Sequence, residues 1–228
     1  MFTYRSTWLV GMVIVLAIAP MTALAQVVTS NPGLPPDTGE YLTAQQVHAL
    51  YPEGIFPEVI LENILHHRFF DIQITPLPSG DESEEFQSFL SGDAEVFQSG
   101  VPIASGPVSL QGGVQVLTQG KTGNTTGTFD TEIVAMSLTG TFGGNPIEVR
   151  ENPNQPSTGQ TTITDIGGGL FRIDSFFDVF TEISLDGGQN FTPAAGSVRV
   201  DLMPEPATLG LLAFGLGAVV LGRRNRKA

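Results

Sequence analysis

His66 and His67 stand side by side, with Glu62 before them and Asp71 after. A histidine held near carboxylates can act as a general base or a metal ligand. Neighbours on a strand point to opposite faces, so one of the two turns inward and the other outward. The pair therefore reads as a strand end with one half-buried member. No HExxH is present, and His48 adds no signal. Hard-cation chemistry is better represented. Asp81, Glu82, Glu84, Glu85 and Asp93 gather in one polar stretch, and Asp178, Asp186 and Asn190 flank another turn. Calcium takes several oxygens from flexible turns. Asp81, Glu82, Glu84 and Asp186 are its candidate ligands, and calcium is the one cofactor the residues suggest. No EF-hand register is met, so the spacing favours a solvated acidic loop.

Other chemistry is weaker. Gly120-Lys121-Thr122 ends like a phosphate-binding loop, but Gln115 stands where that loop needs its first glycine. It reads as a β-turn. No GxSxG marks a nucleophile, and Ser91, Ser99 and Ser105 sit in Ser-Gly turns. The many acids supply carboxylate pairs by chance, so glycosidase geometry cannot be read from them. Asn124-Thr125-Thr126 and Asn190-Phe191-Thr192 match the glycosylation sequon, a pattern short enough to occur by chance. No catalytic residue is expected.

The 228 residues contain no cysteine, which excludes a disulfide framework, a thiolate nucleophile and Cys-ligated metals. Setting aside both ends removes Arg5, Arg223, Arg224, Arg226 and Lys227 from ten basic residues and only Glu205 from 23 acids. That leaves 5 against 22, a net charge of −17 over residues 26–203. Such a surface repels nucleic acid and anionic lipid.

The two ends read as addresses. Arg5, the apolar stretch from Leu9 to Pro20, and Ala23-Leu24-Ala25 before Gln26 form a signal peptide with its cleavage site. At the other end come Pro204-Glu205-Pro206, an apolar run to Gly222, and Arg223, Arg224, Arg226 and Lys227. As a helix, residues 207–222 rise about 24 Å, short for a permanent anchor. Ala213/Gly217 and Ala218/Gly222 have small-xxx-small spacing suited to docking against a membrane helix. The basic cluster holds the C-terminus on the cytoplasmic side, as Arg5 does for the N-terminus. The segment between them is therefore expected outside the cytoplasm.

This tail resembles the PEP-CTERM signal of bacterial surface proteins processed by exosortase, a membrane-embedded transpeptidase. The resemblance implies recognition at Pro204, Glu205 and Pro206, transient anchoring through the apolar helix, and removal of the tail. The implied partners are an exosortase-like enzyme, signal peptidase, the membrane before processing, and the exopolysaccharide of a surrounding matrix. The stretch from Gly159 through Ser175-Phe176-Phe177 to Gln189 resembles a β-rich ectodomain common among such proteins, which has no assigned catalytic residues.

Four segments follow: a signal peptide (1–25), an extended or disordered lead-in (26–40), a β-rich extracellular domain (41–203) and the sorting signal (204–228). Thr43-Ala44-Gln45-Gln46 looks like a capping box, opening a short helix that Pro52 ends near Tyr51. Residues 55–70 lean to strand, and 76–95 read as an acidic connection carrying Phe86 and Phe89. Strands are expected at 108–118, 129–138, 147–150, 161–166, 170–174, 176–185 and 197–203, separated by glycine turns. Phe176, Phe177 and Phe180 are expected in the core. The sum is an antiparallel β-sandwich or barrel-like domain. Its expected role is structural or adhesive at the cell surface or in the matrix, with a carbohydrate- or calcium-binding module as the alternative.

Overall fold

A computed structural model describes residues 26–36, 38–43 and 48–204. The described residues form thirteen strands and no helix: β1 (Val27–Thr29), β2 (Glu40–Thr43), β3 (Ala49–Tyr51), β4 (Glu58–Pro76), β5 (Glu82–Gln98), β6 (Val101–Thr118), β7 (Gly127–Phe142), β8 (Asn145–Glu151), β9 (Ser157–Gly167), β10 (Leu170–Val179), β11 (Thr181–Ser184), β12 (Thr192–Pro193) and β13 (Val198–Met203). Every pairing is antiparallel.

The sheet closes on itself. Pairing runs β10-β13-β2-β4-β5-β6-β7, and β9 pairs with both β7 and β10, completing a ring of eight strands. Eight strands enclose an interior that side chains fill, or that holds one small ligand. The long strands continue past this ring. The first residues of β4 pair with β3, and the second half of β7 pairs with β8, which leads to β11 and β12. A bond from the Ala195 N–H to the Leu50 carbonyl (2.7 Å) brings this branch back to β3.

Period-two patterning explains the barrel. On β5, Glu84, Phe86, Ser88 and Leu90 turn inward while Glu85, Gln87 and Phe89 turn out. Ile163, Ile173, Leu138, Leu110 and Leu61 are almost wholly buried, each such side chain contributing about 1.5–3 kcal/mol. β4 carries three bulges, each adding one residue against β5, and Asn63, Arg68 and Asp71 lie at them with φ of 51°, 55° and 53°. Bulges bend a strand and increase its twist, which a tightly coiled barrel wall requires.

Several expectations change. The lead-in is part of the sheet: Val27 pairs with Ile173, and Leu34 is buried. Residues 49–51 form β3 instead of a helix, because Ala49 and Tyr51 pack into the core and pair with Leu61 and Val59; residues 44–47 lie outside the described residues. The acidic connection at 76–95 is mostly β5, where exposed Glu85, Asp93 and Glu95 alternate with an inward row that includes Glu84, Phe86 and Leu90. Ser91 lies in β5 and Ser105 in β6, so neither sits in a turn. Phe177 is in the core, but Phe176 lies on the outer face with the Arg199 guanidinium 3.4 Å from its ring centre.

Candidate functional site

The barrel interior is apolar with a polar belt. Tyr41 of β2 donates its hydroxyl to Ser175 Oγ of β10 at 3.0 Å, and Ser175 lies 2.7 Å from Thr161 Oγ1 of β9. Burial drives the Tyr41 phenol well above its ordinary range. Its ring packs edge-on against Phe177 and Phe69, with centroids 5.6 and 6.0 Å apart. His66 Nε2 sits 2.6 Å from Ser88 Oγ. Burial first, and then the neighbouring His67, lowers the His66 pKa to about 4, so the ring is neutral at physiological pH. As alternation requires, His66 faces in and His67 faces out, where it meets Phe89.

Glu84 is the unusual member of the belt. It is 1% exposed, and its Oε2 accepts from the Thr118 hydroxyl at 2.9 Å. Its Oε1 has no partner, and neither does the hydroxyl of Thr131, which pairs with Thr118 across β6 and β7. An orphaned buried polar atom costs about 1–3 kcal/mol. Burial is the main cause that pushes the Glu84 carboxyl up to about 8, and the Thr118 bond opposes it. At neutral pH the group is thus mostly an uncharged acid, with its proton available at Oε1. Glu84, Thr118, Thr131, Thr161, Tyr41 and His66 all line one interior cavity of about 80 Å³, whose other walls are mainly apolar. Leu34 and Pro35 line it from the segment before β2.

The calcium candidates are not brought together. The Asp81 carboxylate accepts from the Gly120 N–H at 2.7 Å and from Ser79 at 2.8 Å, which holds its pKa below the ordinary value. Glu82 pairs with Lys121 at 3.1 Å, inside the turn expected at Gly120-Lys121-Thr122. Glu84 points into the barrel. Asp186 organises its own loop, accepting from Ser184, Gln189 and Asn190, which lowers it to about 2. Among the described residues no group of three or more His, Asp or Glu could hold a metal ion.

A second cluster lies on the outer wall. The rings of Phe70 and Phe89 are 5.9 Å apart and tilted by 32°, with the His67 ring 6.3 Å and the Arg68 guanidinium 6.0 Å from Phe89. The bulges around Arg68 and Asp71 set these side chains on one half-buried surface.

The processing residues frame the barrel. Gln26, exposed, immediately precedes β1, and Pro204 immediately follows β13. β13 and β1 occupy the same flank of β10 end to end, Asp201 opposite Phe176 and Val27 opposite Ile173. The two ends of the domain therefore meet. Ala23, Ala25, Glu205, Pro206, Arg223, Arg224, Arg226 and Lys227, with the expected signal peptide and sorting helix, lie outside the described residues.

Sequence reading missed the belt. The available signal was Glu84 sharing the two-residue period of Phe86, Ser88 and Leu90, which places a carboxyl among core positions.

No curated protein and no solved structure matches the chain. The family model for the PEP-CTERM protein-sorting motif matches residues 204–227, beyond the last strand. The chain thus carries at its C-terminus the sorting signal that marks an exported substrate of an exosortase-type processing enzyme, transiently anchored in the membrane.

Proposed function

We propose that the chain is a non-catalytic structural or adhesive protein of the bacterial cell surface or extracellular matrix, delivered as a signal-peptide-bearing precursor and released from its tail. The observation that carries this reading is the sorting motif beginning at Pro204, one residue after the final barrel strand. A processing enzyme needs an accessible, extended peptide, and the two prolines of the motif favour extended backbone. The acidic charge of residues 26–203 supports life outside the cell and argues against nucleic-acid partners. The deciding measurement is intact mass and fractionation of the protein in its own host, with and without the exosortase. Loss of both ends, with release or matrix attachment that vanishes in the mutant, supports the reading. A chain still ending at Ala228 and held in the membrane in both strains overturns it.

The Phe70–Phe89 surface favours a second reading, an exopolysaccharide-binding module. Aromatic faces beside an arginine suit the apolar faces and hydroxyls of sugar rings.

A further inference from the structure

The barrel interior combines two features that a merely structural core lacks. It retains a cavity of about 80 Å³, and two residues lining it, Glu84 on β5 and Thr131 on β7, either side of β6, each carry an unpartnered polar atom. Buried polar groups are almost always satisfied, so two exceptions lining one cavity need an explanation, and a bound molecule supplies one. Glu84 Oε1 and Thr131 Oγ1 flank Thr118, whose own hydroxyl is already committed to Glu84 Oε2. We propose that the interior is a binding site for a small, uncharged, mainly apolar molecule bearing one hydroxyl group, held between Glu84 Oε1 and Thr131 Oγ1.

The chemistry of each wall selects this class. A hydroxyl both accepts and donates, so it can accept a hydrogen bond from the protonated Glu84 carboxyl and donate one to the Thr131 oxygen. The carboxyl is largely protonated at neutral pH, which removes the countercharge an ammonium ligand would need. An anion would meet the acidic surface on approach and no cation at the cavity, because Lys121 is engaged with Glu82. The body of the ligand would lie against Val114, Val116, Ile133 and Met136. Size limits that body. The cavity, about 80 Å³, is about half of the roughly 150 Å³ that holds the six carbons of benzene in a known apolar cavity, which points to about three or four non-hydrogen atoms in all.

Water is the competing occupant, and the experiment separates the two. The full chain, methyl-labelled and in detergent, is titrated with 2-propanol and with its near-isostere isobutane. Intermolecular nuclear Overhauser effects are read at Val114, Val116, Ile133 and Met136. The expected result is saturable 2-propanol contact at these methyls, at least tenfold tighter than isobutane. Thr131→Val, nearly isosteric, should remove most of that preference, and Glu84→Leu should do the same if it folds. Three results would overturn the proposal: no saturable contact, equal affinity for alcohol and alkane, or slowly exchanging water at Glu84 that the alcohol does not displace. Thr131→Val alone decides the matter if the Glu84 variant fails to fold.

Discussion

The Thr118 hydroxyl reaches Glu84 Oε2 across 2.9 Å inside a closed barrel, leaving the other carboxyl oxygen bare. Glu84 contributes to the chain's response to pH. Burial raises Glu84 from its ordinary 4.5 to about 8. A folded pKa above the unfolded one adds stability that is fully present below about pH 4.5 and is lost as pH rises through about 8. Glu151, raised to about 7 by burial and then by Glu132 and Glu182, acts in the same direction. Glu84→Gln should therefore flatten, not abolish, the decline. Against wild type it should gain roughly 2–5 kcal/mol between pH 5 and pH 9, read from urea midpoints at each pH. Parallel curves for the two proteins would refute the assignment.

Lys121 and Glu82 form an ion pair whose side chains are 7% and 13% exposed. Removing one partner leaves a buried charge alone, at a cost of roughly 3–5 kcal/mol. Lys121→Met should show that loss in urea unfolding. Adding Glu82→Gln should recover more than half of it. If the double variant is no more stable than the single one, the pair is not acting as a buried unit.

Gly112 and Gly113 are neighbours with opposite tolerance. A Cβ on Gly112 would sit on the Ser137 carbonyl of β7, whereas on Gly113 it meets only the movable Gln87 Nε2 at 3.2 Å. Gly112→Ala should cost roughly 2–4 kcal/mol, because the β6–β7 ladder must part to admit it. Gly113→Ala should stay within about 1 kcal/mol. Thermal unfolding of the two variants side by side checks the close approach.

The outer aromatic surface makes its own prediction. If polysaccharide stacks there, Phe70→Ala and Phe89→Ala should each weaken retention on the host's purified exopolysaccharide by tenfold or more, with unchanged melting temperature. Unchanged retention would remove the second reading and leave the first untouched.

Because Gln26 and Pro204 meet beside β10, neither sorting segment is needed to close the ring. A chain cut to residues 26–204 should fold with a melting temperature within a few degrees of the full chain, measured by circular dichroism. Failure to fold would mean that one of the ends takes part in the sheet.

Much of the strand content was legible, because Phe129, Thr131 and Ile133, or Ile173, Ser175 and Phe177, alternate cleanly. β4 was ambiguous for a physical reason. Each bulge shifts the inward positions by one, so Val59, Leu61, Ile64 and His66 break a strict period of two and mimic a helical face. β5 was hidden by composition: its outward acids look like a loop, and only Phe86 and Leu90 betray the pleat. The cavity was not legible at all. It depends on closures that local patterning does not encode: β13 pairs Val200 with Thr43 of β2, and β9 pairs back to β7 past β8.

That β13 stops where β1 begins has a mechanical consequence. A barrel tethered through Pro204 hangs from a single pivot, with its own N-terminal residue beside it. By strand direction the β4–β5 and β9–β10 connections lie toward that pivot, while the Ser99–Gly100 and Gly143–Gly144 turns lie at the far end. Those two turns are therefore carried at the end of the barrel away from the attachment point.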